Sequence, residues 1–469
     1  MKINHKLNTV IFFLPSIVVA ICSIVSLPFL TNELEISDFG YFYLCSIIVN
    51  FLGSFSLLGG TVSMAKNFHG QSLDKQKKFA SNIFFLSFLV GCFFSFITLI
   101  SWELFLKNFL QNKNHLYIMV FILFIYGFQT HISEILTIKN RPFSYGLFIG
   151  LQSIFGAIIN IYLITNYDFG VDTLFYSMFG SGLLGLLFIL FFSYEYLKNI
   201  PDLSTIKGIL REYKIAISNF FENLFIFLER NLVYKFFGLE IFTLFNYGKS
   251  YETHMLAINK AIVRGVYSTS LTEFKERQEF SYCKKSIDYI LLVIYFFGIF
   301  FATIGYDFIS IISNDKFSKA SYFVCLFCIL RVFNNTNVAY NIAIIVKGTI
   351  KSFANIVYFD KLSLLILILL FVPFFKLKGL IFAYFCSALI LKLYFIKTAK
   401  KYHDVPFLEK NIFFVSLTLI SILLLSINFA ENFYTRLNLF ILSLLSGIFY
   451  FRFEILSFFS YCVSKFYRK

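Results

Sequence analysis

Apolar residues run through nearly the whole chain in stretches of roughly 20, the length a helix needs to cross a hydrocarbon core about 30 Å thick. Short polar segments separate them. Fourteen such stretches are read as transmembrane helices: 7–30, 39–65, 79–100, 116–138, 143–164, 173–194, 215–237, 241–263, 287–312, 320–346, 353–375, 380–396, 412–429 and 437–456. A chain built this way is all-α and polytopic, because helices satisfy their own backbone polar groups inside lipid. No segment between spans is long enough for a soluble domain, and the mean hydropathy of +0.76 agrees.

Charge in the loops alternates. Lys2, Lys75, Lys77, Lys78, Lys139, Arg141 and the later cationic clusters put 26 Lys and Arg on one side, against about 8 on the other. Cytoplasmic loops are the cation-rich ones, so both termini are expected in the cytoplasm. The first span, uncharged from Leu7 to Asn32, is too long for a signal-peptide core and is expected to stay as an anchor. The charged linker Lys198–Lys214, with Pro201, divides two sets of six spans. The expected organisation is a six-helix lobe over 1–200, a second over 201–404, and a helical hairpin with a cytoplasmic tail over 405–469. A short echo, Phe39-Gly40-Tyr41 against Tyr247-Gly248, fits two related lobes with substrate at their interface, a recurrent transporter plan.

The net charge of +15 changes little, since its cations sit in short clusters beside apolar spans and not on one soluble face; a nucleic-acid partner is excluded on that ground. Cys325 and Cys328 form a CxxC inside an apolar span with no second ligand pair nearby, which points to packing and not to metal. Gly248-Lys249-Ser250 resembles the end of a phosphate-binding loop, but Thr243 occupies the earlier glycine position, so no ATPase is encoded there. His131, inside span four, is expected to be a hydrogen-bonded packing residue. The chain is read as a transporter and not an enzyme, with no cofactor.

Charge inside the spans carries the functional signal. The first six spans have almost none, Glu134 excepted. The next six carry the acids Glu222, Glu229, Glu252 and Asp360 and the cations Arg230, Lys249, Lys260, Arg331, Lys361 and Lys392, a balance of plus two. Each such group at the bilayer centre costs about 2.5–3.5 kcal/mol on insertion scales, so they are expected to share a polar interior. Helical spacing groups them: Asn219, Glu222, Asn223, Glu229 and Arg230 in span seven, Lys249, Glu252, Asn259 and Lys260 in span eight, and Arg331, Asn334 and Asn341 in span ten. The cation excess favours an anionic cargo such as a diphosphate or an acidic sugar. Arg331, Lys249, Lys260, Lys392 and Asn334 are therefore the candidate substrate-binding residues. Glu222, Glu229, Asp360 and Glu252 are the candidate ion-coupling residues, which leaves a proton or sodium gradient open as the driving force. The competing reading pairs these charges with one another to fix helix packing.

These residues also resemble a known family. Glu35-Ile-Ser-Asp-Phe-Gly-Tyr41 entering span two, Leu57-Leu-Gly-Gly60 within it, and Leu228-Glu-Arg-Asn-Leu-Val-Tyr-Lys-Phe-Phe-Gly238 leading to Phe245-Asn-Tyr-Gly248 are similar to the Wzx-type flippases of the multidrug/oligosaccharidyl-lipid/polysaccharide exporter superfamily. The Glu229-Arg230 pair stands where many members have Asp-Arg. The resemblance implies two six-helix bundles around a V-shaped cavity open alternately to each side of a bacterial cytoplasmic membrane. It implies outward carriage of an undecaprenyl-diphosphate-linked oligosaccharide repeat unit for O-antigen or another lipopolysaccharide glycan. Its partners would be the lipid-linked oligosaccharide, membrane lipids, a glycan polymerase and a chain-length regulator. The alternatives are a drug or cation antiporter of the same superfamily, which should favour acids over cations in its cavity, and a membrane glycan polymerase, which should have a large outside loop that this chain lacks.

Overall fold

The computed structural model describes residues 5–57, 64, 72–101, 112–139, 141–199, 201–202, 206–207, 213–255, 279–337, 340, 342–344, 350–403, 409–429 and 432–456. Within them all regular structure is helical. In chain order the helices are α1 His5–Glu33, α2 Ile36–Phe55, α3 Leu73–Ser101, α4 Lys113–Ile138, α5 Pro142–Tyr167, α6 Asp172–Leu197, α7 Tyr213–Met255, α8 Ser281–Ala302, α9 Gly305–Ser313, α10 Ala320–Asn335, α11 Ile350–Lys400, α12 Glu409–Phe429 and α13 Phe433–Tyr450. Seven helices among the described residues are long and apolar enough to cross a membrane, or eight when the bent pair α8–α9 is one span. The protein is an all-helical, multi-pass membrane protein.

Two of the long helices are each two helices joined at a reversal. Gly238, at φ +76°, breaks α7 where only a residue without Cβ turns freely, and Lys376, at φ 48°, breaks α11. Across the second break the halves run antiparallel: Phe371 meets Phe382 at 4.9 Å, Ser363 Oγ lies 3.3 Å from Ser387 Oγ, and Phe359 stacks on Tyr394 at 4.4 Å. The sequence boundaries 353–375 and 380–396 bracket that turn.

Two spans depart from the expected continuous helices. Span nine is bent by 63° between α8 and α9, at Thr303, whose backbone (φ −120°, ψ −93°) leaves the helical region. In span ten α10 ends at Asn335, with Tyr340 and residues 342–344 helical again beyond it, so Arg331 and Asn334 lie in the last turns of α10 and not at the middle of one unbroken helix. Pro15 and Pro28, by contrast, are accommodated inside a continuous α1.

Two compact units, Met1–Thr243 and Leu244–Lys469, divide the chain. In the first, α2, α4 and α6 begin at one end. His115 at the start of α4 joins them: its Nδ1 is 2.9 Å from the Tyr41 hydroxyl, its Nε2 is 2.6 Å from Asp172 Oδ1, and its ring stacks on Phe175 at 3.8 Å. At the other end the start of α3 meets the end of α6, where Lys77 pairs with Glu195 at 3.1 Å and Ser81 Oγ donates to the Asn199 carbonyl at 2.6 Å. Asp38, from the motif at the start of α2, accepts the Glu35 N–H at 2.9 Å and so satisfies a donor that a helix start leaves over.

The second unit is tied in the same manner. The Asn411 amide of α12 donates to Asp288 of α8 at 2.7 Å and accepts from the Tyr450 hydroxyl of α13 at 2.8 Å. At the opposite end Arg436, opening α13, forks onto Asp307 of α9 at 2.6 and 2.8 Å, with its guanidinium 4.7 Å from the Tyr306 ring. Outward surfaces of both units are apolar, with Phe191 77%, Phe374 80% and Phe449 72% exposed, as lipid contact requires.

Candidate functional site

Three cations of the second unit gather along α10. Lys249, in the second half of α7, holds its Nζ 4.3 Å from the Phe327 ring centre, inside an aromatic cluster completed by Phe245 and Tyr384. Arg331 follows Phe327 by one helical turn, on the same face. Beyond the end of α10, Thr336 Oγ1 accepts a 2.9 Å hydrogen bond from Lys392 Nζ of α11, and the Tyr340 ring lies 4.6 Å from the same nitrogen. From Phe327 to Thr336 the axial span is about 13 Å at 1.5 Å per residue. The cations thus lie at successive heights of α10, but Thr336, about two and a half turns beyond Phe327, is on roughly the opposite side of the helix, so they do not share one face.

Lys392 is the most deeply placed of them, with 6% of its surface exposed. Its ammonium meets one hydroxyl and one aromatic face, and among the described residues no carboxylate pairs with it. Asp360 lies at the same level of the α11 hairpin but pairs with its neighbour Lys361 at 3.4 Å. An ammonium withdrawn from water costs several kcal/mol. The charge-assisted hydrogen bond contributes about 1.5–3 kcal/mol and a desolvated cation–π contact about 2, which offsets part of that cost, and an anion would add to them.

Close helix approach fixes Lys249 against α10. A Cβ on Gly248 would meet Phe323 Cβ at 2.7 Å, the Ala320 carbonyl oxygen at 2.9 Å and the Val324 nitrogen at 3.2 Å, so α7 reaches the backbone of α10 only because residue 248 is glycine. Gly248→Ala is expected to cost about 1–3 kcal/mol by overpacking and to displace Lys249. The purified variant should melt several degrees lower in detergent; an unchanged melting temperature would contradict this packing.

The remaining candidates are dispersed. Asn334 is exposed on α10. Glu229 and Arg230 are half-buried in α7 within the first unit, Arg230 in electrostatic reach of Glu229 and Tyr43. Glu222 and Glu252 belong to helical turns of α7 whose side chains are outside the described residues, as is Lys260 altogether. His131 is fully buried, its Nε2 2.8 Å from Ser87 Oγ, in keeping with a packing role.

Three arrangements were not read from the sequence. Arg436–Asp307 joins residues 129 apart, which no local pattern reveals. His115 lies just outside the apolar stretch that begins at Leu116, so the join it makes to Tyr41 and Asp172 was missed. The third is a cavity of about 270 Å³ in the first unit, lined by Ser23, Ser26, Gln152, Asn160, Ser177 and Ser181 among others. Its spacing was visible: 152, 156 and 160 in span five and 177 and 181 in span six recur every four residues.

This helical arrangement is found in solved structures. The lipid II flippase MurJ, in an inward closed conformation, matches with a TM-score of 0.65 and 15% identity over 96% of this chain and 100% of that one. This chain shares that fold. A MATE transporter in complex with MaL6 matches at 0.62 and 14% identity, over 84% of this chain and 96% of that one. The Vibrio cholerae MATE transporter VcmN matches at 0.62 and 12%, over 84% and 95%. No family model matches the sequence, and no curated protein does. At these identities the likeness is one of fold; the three structures named are a flippase and two transporters.

Proposed function

We propose that this protein is a Wzx-type flippase that carries an undecaprenyl-diphosphate-linked oligosaccharide across a bacterial cytoplasmic membrane by alternating access. The observation that carries this reading is Lys392, a buried ammonium with a hydroxyl and a ring for neighbours, with Arg331 and Lys249 at other heights of α10. Arg forks two hydrogen bonds onto phosphate oxygens and Lys adds a point charge, so each of these cations is chemically suited to a diphosphate. Lys260 and Asn334 would extend the same binding surface.

The likeness to a lipid II flippase supports a lipid-linked cargo. The share of the chain that MurJ covers and the MATE structures do not is comparable to the proposed 405–469 hairpin. In this reading the chain has fourteen spans in lobes 1–200 and 201–404 plus that hairpin. Glu222, Glu229, Glu252 and Asp360 would serve coupling to a proton or sodium gradient. Glycan polymerase and chain-length regulator are its expected partners. A drug or cation antiporter is the second reading, favoured by the MATE likeness; it does not account for the buried cation at Lys392.

Two experiments test the reading. Purified protein in nanodiscs is expected to bind undecaprenyl diphosphate in a salt-sensitive manner and a lipophilic cation weakly or not at all. The reverse preference would favour the antiporter. Reporter fusions after Asn32 and Asp168 should read outside, and fusions after Lys78, Lys285 and Lys469 inside. A consistent reversal would overturn the sidedness assigned to the cargo's route.

A further inference from the structure

One end of the first unit gathers cations round a single carboxylate. There the start of α3, the link from α4 to α5 and the end of α6 come together. Lys77 of α3 pairs with Glu195 of α6 at 3.1 Å, and Lys139 and Arg141 of the link lie in electrostatic reach of the same carboxylate. Lys139 Nζ is 4.9 Å from the centre of the Tyr196 ring, and Lys198 Nζ is 4.2 Å from that of Tyr194. Among the described residues Lys139, Arg141 and Lys198 have no carboxylate in ion-pair contact. Asp74 and Asp202, exposed at this end, are themselves outnumbered by the exposed Lys75, Lys78 and Lys207. The backbone that carries the cluster is fixed: Ser81 Oγ donates to the Asn199 carbonyl at 2.6 Å and the Asp202 N–H donates to Asn82 Oδ1 at 2.7 Å, which ties the chain leaving α6 across α3.

What the cluster faces follows from α6. Leu187, Leu190, Phe191 and Tyr194 are exposed, and with Lys198 they recur every three or four residues, so one stripe of the helix carries them all. An apolar, outward stripe therefore ends in an aromatic ring and then an ammonium, the order in which a bilayer passes from acyl chain to interface to headgroup. A lysine that served topology alone would extend its charge into water. Lys198 instead folds back over Tyr194, toward the apolar stripe. Arg141 likewise stands two residues before the exposed Phe143 at the start of α5.

An inorganic anion would use the cations and not the stripe. An anionic phospholipid uses both, because its phosphate accepts from Arg and Lys while its acyl chains lie along Leu187, Leu190 and Phe191. We propose that this cluster binds the phosphate of an anionic phospholipid, of the phosphatidylglycerol class, through Lys139, Arg141 and Lys198, with Glu195 weakening the site by repulsion. In the topology read from the loops this lipid belongs to the cytoplasmic leaflet. The inference rests on the first unit alone and on no particular cargo.

Native mass spectrometry of the purified full-length protein, titrated in detergent with dioleoyl phosphatidylglycerol or dioleoyl phosphatidylcholine, tests it. Phosphatidylglycerol should bind about tenfold tighter or more, and a photoactivatable phosphatidylglycerol should crosslink to peptides from the end of α6 and the start of α5. Lys198→Gln should weaken phosphatidylglycerol about fivefold, and Lys139→Gln combined with Arg141→Gln about 25-fold, with phosphatidylcholine unaffected. Arg141→Lys, which keeps the charge, should retain most of the binding. Glu195→Gln should tighten phosphatidylglycerol about threefold, a gain that neither misfolding nor a pairing role for the cations produces. Equal affinity for the two lipids, crosslinks spread over all the cationic loops, or no gain from Glu195→Gln overturns the site. So does an equal loss from Lys376→Gln combined with Lys378→Gln, at the turn of α11. If undecaprenyl diphosphate displaces phosphatidylglycerol from these residues at equal concentration, the cluster receives the cargo and the phospholipid assignment falls.

Discussion

Lys392→Gln should leave the protein folded and at least as stable as before, yet reduce transport of an anionic lipid-linked glycan by about 100-fold, the equivalent of roughly 2.7 kcal/mol of charge-assisted binding. The substitution keeps a donor for Thr336 Oγ1, which lies 2.9 Å from the native ammonium, and removes the buried charge. Removing an isolated buried charge relieves a desolvation cost. The two possible roles of Lys392 therefore move stability in opposite directions. If the cation serves packing, the variant should melt lower and each folded molecule should transport normally. Lys392→Arg should keep part of the activity, because the charge remains while its geometry changes. Surface glycan in a strain that depends on this protein, normalised to membrane-inserted protein, reads the difference.

Arg436→Ala should produce the largest loss of stability. It leaves Asp307 without the guanidinium that now holds both its oxygens at 2.6 and 2.8 Å, at a site where Arg436 is 7% exposed. Breaking a buried pair by removing one partner costs about 3–5 kcal/mol, and the partial exposure of Asp307 points to the lower part of that range. Arg436→Lys should fall between, since an ammonium cannot fork. The double variant Arg436→Leu with Asp307→Leu should recover most of the loss, because no charge is then stranded. Thermal unfolding in detergent checks all three. Equal melting temperatures for Arg436→Ala and the unaltered protein would show that this pair contributes nothing to the closure of α13 on α9.

Much of the fold was legible because the bilayer imposes one simple requirement, a long apolar helix, at every crossing. The reversals at Gly238 and Lys376 were bracketed by the polar interruptions around them. The bend at Thr303 was not, since Phe301-Ala302-Thr303-Ile304-Gly305 is nearly as apolar as the helix it interrupts. The early end of α10 was hidden for the same reason: Asn334-Asn335-Thr336-Asn337 reads as one more polar stripe when a helix is assumed. The candidate site was partly legible. Charge in an apolar span marks a residue as needing company, which singled out Lys249, Arg331 and Lys392. Mid-span position puts Lys249 and Arg331 deepest, whereas Lys392 is the most buried of the three, because its neighbours in space, Thr336 and Tyr340, come from a different helix. Uncharged polar residues give a weaker signal, and the serine and amide lining of the first unit passed unread. Pairs such as Arg436–Asp307 depend on which helix ends meet, and no local pattern encodes that.

The most direct test is transport by purified protein in liposomes loaded on one leaflet with an undecaprenyl-diphosphate oligosaccharide, read by lectin or periodate access on the other. The account predicts movement of this lipid by the unaltered protein, about 100-fold slower movement by Lys392→Gln, and none of a lipophilic cation under a proton or sodium gradient. Movement of the cation with no movement of the glycan lipid would contradict it.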